Sequence, residues 1–180
     1  NHNGDLGLAQ ATIKAAHESG ASAVKLQTFE PESLCSPNSQ YFSLFKKCYL
    51  SKKQIDSLID YSYSSGITLF SSVFDKWSVD IWNKKNTKFY KIASCDINNI
   101  PLLEYVAKTS IPTIISTGAS NIKEVDYAFK TLKKINNNID ISILHCVSNY
   151  PASSENINLK SINYMKNYFN CPIGFSDHTT

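Results

Sequence analysis

Short apolar runs alternate along this chain with longer segments whose apolar residues recur every three or four positions. The runs are Ala23–Thr28, Ile67–Phe70, Phe89–Ile92, Thr113–Ile115, Ile141–Leu144 and a last one starting at Ile173. Each has the length and composition of a strand covered on both faces, as in a parallel sheet. The longer segments read as helices. Asp5 caps the first, in which Leu8, Ala11, Thr12, Ala15 and Ala16 keep a small apolar face until Gly20 stops it. Ser51 caps the second, whose stripe is Ile55, Leu58, Ile59 and Tyr63 and whose stop is Gly66. Further helices are expected over 76–84, from the Asn98-Asn99-Pro101 opening, over 121–135 with Ile122, Val125, Phe129 and Leu132 in one stripe, and near 158–168. Residues 29–50, with Pro31 and Pro37, show no clear period and are expected to form a long loop.

Strictly alternating strand and helix call for a parallel α/β fold. Two architectures compete, an open doubly wound sheet and a (β/α)8 TIM barrel. No GxGxxG or P-loop sequence follows the first strand, as a nucleotide-binding doubly wound fold would require. Every strand instead runs into small polar residues, as expected when all C-terminal tips surround one mouth. A barrel is the better fit, but six strands do not close one. The first residue is not a methionine, and both ends of the sequence interrupt motifs. The chain therefore reads as one domain, 1–180, that is part of a barrel whose first and last strands lie outside it. Such a piece alone is expected to be inactive and prone to aggregate through open strand edges.

Composition narrows the function classes. A net charge of +3 with scattered lysines and no arginine gives no basic tract for nucleic acid. Five widely spaced cysteines without a CxxC pair indicate neither a zinc site nor a disulfide framework, and suit reduced thiols in the cytoplasm. Neither a signal peptide nor an apolar run long enough for a membrane span is visible.

The strand tips carry the chemistry. They supply Lys25 and Gln27, Ser72, Lys91 and Ser94, Ser116 and Thr117, His145, and the closing Ser176-Asp177-His178. An ammonium inside an apolar strand is costly unless paired. Lys25 and Lys91 therefore read either as structural ion pairs or, taken together with the hydroxyls, as a clamp for a phosphate or carboxylate. Ser71 and Ser120 read as helix caps. Cys95 and Cys146 fall at tips and read as small half-buried residues rather than reactive thiols. By its position His178 is a general base, a hydrogen-bonding group or a metal ligand, and spacing alone leaves the three open. His2, His17 and His145 are weaker metal candidates.

With these residues in hand, the chain resembles the sialic acid synthase family. The matching segments are Asn1-His2-Asn3-Gly4-Asp5, Ala23-Val24-Lys25-Leu26-Gln27-Thr28-Phe29, Tyr90-Lys91-Ile92-Ala93-Ser94 and Asn98-Asn99-Ile100-Pro101-Leu102. They continue with Ile115-Ser116-Thr117-Gly118, His145-Cys146-Val147-Ser148-Asn149-Tyr150-Pro151 and Gly174-Phe175-Ser176-Asp177-His178-Thr179. The set is specific because it occurs in family order over nearly the whole chain.

The resemblance implies a cytoplasmic, homodimeric enzyme with a (β/α)8 barrel followed by a small antifreeze-like domain. It implies condensation of phosphoenolpyruvate with an N-acetylated sugar aldehyde, N-acetylmannosamine or a bacterial 6-deoxy-diamino sugar, to a nine-carbon 2-keto acid and phosphate. Phosphoenolpyruvate would meet Lys25, Ser72, Lys91, Ser94, Ser116 and Ser176. The sugar side would involve Gln27, Ser148 and Tyr150, with Asp177 also at the substrate. Lys25, Lys91 and His178 would be the catalytic groups. His178 would bind Mn²⁺ or Mg²⁺, with a second histidine beyond Thr180 and a glutamate before Asn1 completing the metal surroundings. A non-catalytic sugar-phosphate-binding relative and a different phosphoenolpyruvate aldol synthase are the alternatives. The segments at 29–50 and Ser71-Ser72-Val73-Phe74 depart from better-known members.

Overall fold

The computed structural model describes residues 1–180, which divide into two compact units, Asn1–Lys88 and Phe89–Thr180. The first unit contains α1 (Leu6–Glu18), β1 (Ala23–Thr28), α2 (Pro31–Leu34), α3 (Phe42–Cys48), α4 (Lys52–Ser65), β2 (Thr68–Val73) and α5 (Lys76–Lys84). The second contains β3 (Tyr90–Ile92), a 3-10 turn at Ser94–Asp96, α6 (Ile100–Lys108), β4 (Thr113–Ser116), α7 (Ile122–Ile135) and β5 (Ile141–Cys146). A second 3-10 turn at Ser154–Asn156, α8 (Lys160–Tyr168) and β6 (Ile173–Ser176) complete it. No helix is long and apolar enough to cross a membrane.

Helix starts follow local chemistry. Asp5 accepts from the Leu8 amide at 2.7 Å. Ser51 and Gln54 form a reciprocal capping box, as do Asn121 and Glu124. Gly66 ends α4 at φ +74°, a left-handed geometry that costs a residue with a Cβ about 1–2 kcal/mol.

In the first unit β1 and β2 are parallel, with Lys25 opposite Phe70 and Gln27 opposite Ser72. In the second, β3, β4, β5 and β6 are parallel neighbours in chain order. Sequential order without reversal is that of a β/α barrel; a doubly wound sheet reverses at a switch point. The expected α/β class is the one observed, and its strand order is barrel-like.

Period-two alternation then decides what each strand offers. Leu26 and Thr28 are buried, while Lys25 and Gln27 emerge on the other face. Thr28 is tied in by the Trp82 indole N–H at 2.9 Å and the Ser71 hydroxyl at 2.8 Å. In the second unit Tyr90, Ile92, Ile115 and Ile143 are fully buried and pack with Leu103, Val106 and Leu132 as the core.

Four expectations change. Residues 29–50 are not one loop, because α2 and α3 form there, held by tertiary contacts. The Phe29 ring meets Phe45 at 5.9 Å and Phe74 at 6.2 Å, and Tyr49 stacks on Trp77 at 5.9 Å. The second strand does not end at Phe70; pairing with β1 carries it through Ser71 and Ser72 to Val73. Ser71 caps no helix, since its hydroxyl is used inside the sheet and Asp75 caps α5. Likewise Asn121, not Ser120, caps α7, and the Ser120 hydroxyl is buried without a partner.

Candidate functional site

In the first unit Lys25, Gln27 and Ser72 come together on one face. Lys25 and Gln27 are two residues apart on β1, and Ser72 is the register partner of Gln27. Lys25 is exposed as a residue, and partial desolvation of its ammonium draws it below the usual lysine range, with no carboxylate to offset it. A cation without a counter-charge is suited to receiving an anion. Ser72 is almost fully buried.

In the second unit Lys91 is 8% exposed, and its Nζ donates to Ser116 Oγ and, at 3.2 Å, to the Ile92 carbonyl. Register explains the first contact, because Lys91 lies opposite Ile114 and Ser116 is two residues beyond on the same face of β4. Ser94 opens its 3-10 turn and places its Oγ 3.2 Å from Ser148 Oγ. Lys91 with Ser116, and Ser94 with Ser148, are thus hydrogen-bonded pairs contributed by three successive strand ends or their loops.

The loop 147–152 is fastened to the end of β6. His178 Nδ1 lies 2.6 Å from the Val147 carbonyl, so Nδ1 carries the proton as donor. The Ala152 amide donates to the His178 carbonyl at 2.8 Å. The Tyr150 ring stacks on the His178 imidazole with centroids 4.2 Å apart. Tyr150 remains 73% exposed, while desolvation of its hydroxyl raises its pKa. Gly118 makes room for this loop: a Cβ there would stand 2.5 Å from Ser148 Oγ and 2.8 Å from Cys146 Sγ.

The proton on His178 Nδ1 leaves Nε2 as an acceptor. Ser176 Oγ lies 3.2 Å from Nε2 and donates to it. An imidazole whose Nδ1 is pinned to a backbone carbonyl has the orientation a metal-ligating histidine requires. His178 therefore fits as one ligand, although no group of three or more His, Cys, Asp or Glu side chains gathers around it.

The remaining tip residues divide. Asp177 Oδ1 accepts from the Thr179 amide at 2.9 Å, and this hydrogen bond lowers its pKa. Its carboxylate is exposed and engaged in that turn. His145 does not join the mouth-side groups. Its Nε2 donates to the Ile157 carbonyl at 2.6 Å, and its ring stacks against Phe175, its register partner on β6. Cys146 is buried. Cys95 is exposed, but burial of its thiol and the neighbouring Asp96 push its pKa up, which disfavours the reactive thiolate. All five cysteines are free. Two contributors were not assigned from sequence: the carbonyl of Val147, which no pattern marks, and Gly118, whose signal is a glycine directly after a polar strand end.

A lysine–serine pair, and a histidine two residues past a strand-end serine, thus gather at the parallel strand ends of an α/β protein. Comparison with known proteins gives the family: the chain belongs to the NeuB family, whose model matches residues 12–180.

An uncharacterised protein of Methanocaldococcus jannaschii is 44% identical over 99% of this chain and 53% of its own length. The N,N'-diacetyllegionaminic acid synthase of Legionella pneumophila is 38% identical over 99% of this chain and 55% of its length. Among solved structures, the N-acetylneuraminic acid synthetase of Leptospira borgpetersenii, crystallised with citrate, superposes with a TM-score of 0.94. That structure is 35% identical, covering 99% of this chain and 62% of that one. The chain spans about half the length of the curated relatives it matches.

Proposed function

We propose that the protein to which this chain belongs condenses phosphoenolpyruvate with an N-acetylated sugar aldehyde and water, giving a nine-carbon 2-keto sugar acid and phosphate for glycan biosynthesis. The observation that carries the reading is the buried Lys91–Ser116 pair beside the Ser94–Ser148 pair. A buried ammonium held by the Ser116 hydroxyl and the Ile92 carbonyl is a fixed positive charge at the strand ends, suited to an anion. Membership of the NeuB family supports the class of reaction. The name of the Legionella relative favours a bacterial 6-deoxy-diamino sugar, with N-acetylmannosamine as the other substrate to test.

In this reading Lys91 binds the anionic enol ester while Ser94, Ser116 and Ser176 orient it through their hydroxyls. Lys25 and Ser72 of the first unit are assigned to the same substrate by their match to the family motifs. Ser148, Tyr150 and Gln27 are assigned to the sugar, and Asp177 to the substrate side through the turn it stabilises. Neither lysine forms a Schiff base; each acts as a fixed positive charge where negative charge moves during C–C bond formation and phosphate departure. His178 would hold Mn²⁺ or Mg²⁺ through Nε2, and the ion would supply Lewis-acid chemistry for the aldehyde. A cytoplasmic homodimer is the assembly we assign, in keeping with five free thiols.

The test is phosphate release by the full-length protein given phosphoenolpyruvate, Mn²⁺ and either N-acetylmannosamine or a 2,4-diacetamido-6-deoxy sugar. Release that requires both substrates is expected. Absence of release with every sugar of this class overturns the reading.

A further inference from the structure

The first unit holds a cavity of about 230 Å³ lined by Asn1, His2, Ile13, Lys25, Leu26 and Gln27 among others. His2 has no role in the mechanism above, yet its geometry is tightly set. Its Nδ1 accepts the Gly4 amide at 3.0 Å, and its carbonyl accepts the Asp5 amide at 2.8 Å. The turn between them needs two left-handed residues, Asn3 at φ +49° and Gly4 at φ +77°. Gly4 is pressed so closely under the end of α3 that a Cβ would stand 2.2 Å from the Lys47 carbonyl oxygen. The Gln54 side chain donates to the Gly4 carbonyl at 3.3 Å. Helices α3 and α4 together therefore hold the turn whose Gly4 amide engages the ring.

Acceptance at Nδ1 fixes the tautomer, so the proton of the neutral ring is on Nε2. Burial, the largest cause, holds the imidazole below its ordinary pKa. The cavity thus offers one ammonium without a counter-charge, Lys25, and one neutral donor held by its turn, His2.

We propose that His2 is a substrate-binding residue, its Nε2–H donating to an anionic oxygen of the phosphoenolpyruvate held by Lys25. The assignment rests on the function proposed above and adds a ligand-binding group to it. A donor on a rigid turn needs no reordering when the anion arrives, which preserves binding free energy.

Two substitutions separate the donor from the turn. His2→Asn keeps an acceptor close to the position of Nδ1 and removes the distal donor. His2→Gln keeps a donor close to the position of Nε2 and removes the acceptor. Phosphoenolpyruvate binding to the full-length protein is measured by titration calorimetry, independently of turnover, alongside the melting temperature. A hydrogen bond to a charged group predicts a loss of roughly 10- to 100-fold in affinity for His2→Asn with unchanged melting. His2→Gln is expected to lose less than His2→Asn even if its melting temperature falls. Affinity of His2→Asn within twofold of wild type overturns the assignment, and so does failure of the wild type to bind phosphoenolpyruvate. Wild-type protein that binds phosphoenolpyruvate but releases no phosphate with any sugar contradicts the proposed function alone.

Discussion

The imidazole of His178 and the ring of Tyr150 are stacked 4.2 Å apart, and His178 Nδ1 is bonded to the carbonyl of Val147 in the same loop. One side chain thus helps fix the shape of the 147–152 loop and, through Nδ1, its own tautomer. Such a ring pair contributes about 0.5–1.5 kcal/mol beyond area burial. Tyr150→Ala is expected to raise KM for the sugar by about tenfold while leaving KM for phosphoenolpyruvate unchanged. Steady-state kinetics with each substrate varied in turn checks the split.

Loss of the metal and loss of its histidine should converge. Chelation of the full-length protein is expected to abolish phosphate release, and added Mn²⁺ to restore it. His178→Ala is expected to remain inactive with Mn²⁺ added, and its metal affinity, followed by calorimetry, to fall at least tenfold.

Lys91 is buried and bonded to Ser116, so its replacement removes a preorganised charge. Lys91→Met is expected to lower kcat by about 10²–10³. Rates near wild type, measured as phosphate release at saturating substrates, would exclude Lys91 from the chemistry.

Gly118 should tolerate no side chain. Gly118→Ala places a methyl against Ser148 Oγ and Cys146 Sγ. Overpacking of this kind costs about 1–3 kcal/mol. A thermal melt should show the loss, and KM for the sugar should rise as Ser148 is displaced.

Lys25 sets a pH dependence. Burial lowers its folded-state pKa, so the folded protein gives up this proton at a lower pH than the unfolded chain does. Between the two pKa values the unfolded chain binds more protons, and stability rises with pH through that window. Binding of an anionic substrate runs the other way, because the charged form of Lys25 is lost there. kcat/KM for phosphoenolpyruvate is expected to fall on an alkaline limb below the usual lysine range. Lys25→Arg should move that limb upward, since guanidinium stays charged. Lys25→Met should be inactive yet melt no lower than wild type, as it removes an uncompensated charge.

Much of this was legible locally. The caps at Asp5, Ser51 and Asn99, and the stops at Gly20 and Gly66, depend on groups within a few residues of one another, and the helices begin and end accordingly. The 29–50 segment was not legible, because its helices are set by Phe29, Phe45 and Phe74, which are distant in sequence. His145 and His178 look alike as residues following apolar runs. Strand register turns one toward Phe175 and the Ile157 carbonyl and leaves the other with Nε2 beside Ser176.

By itself, then, the order of apolar runs and caps determined a parallel α/β chain, and the ordered motifs its family and its chemical groups. Period and capping are properties of neighbouring residues, so a linear sequence carries them. Which hydroxyl meets which ammonium, which histidine nitrogen holds the proton, and where a glycine must make room were decided only by tertiary structure. These depend on strand register and on loops folded back across it, relationships between residues that the chain does not place side by side.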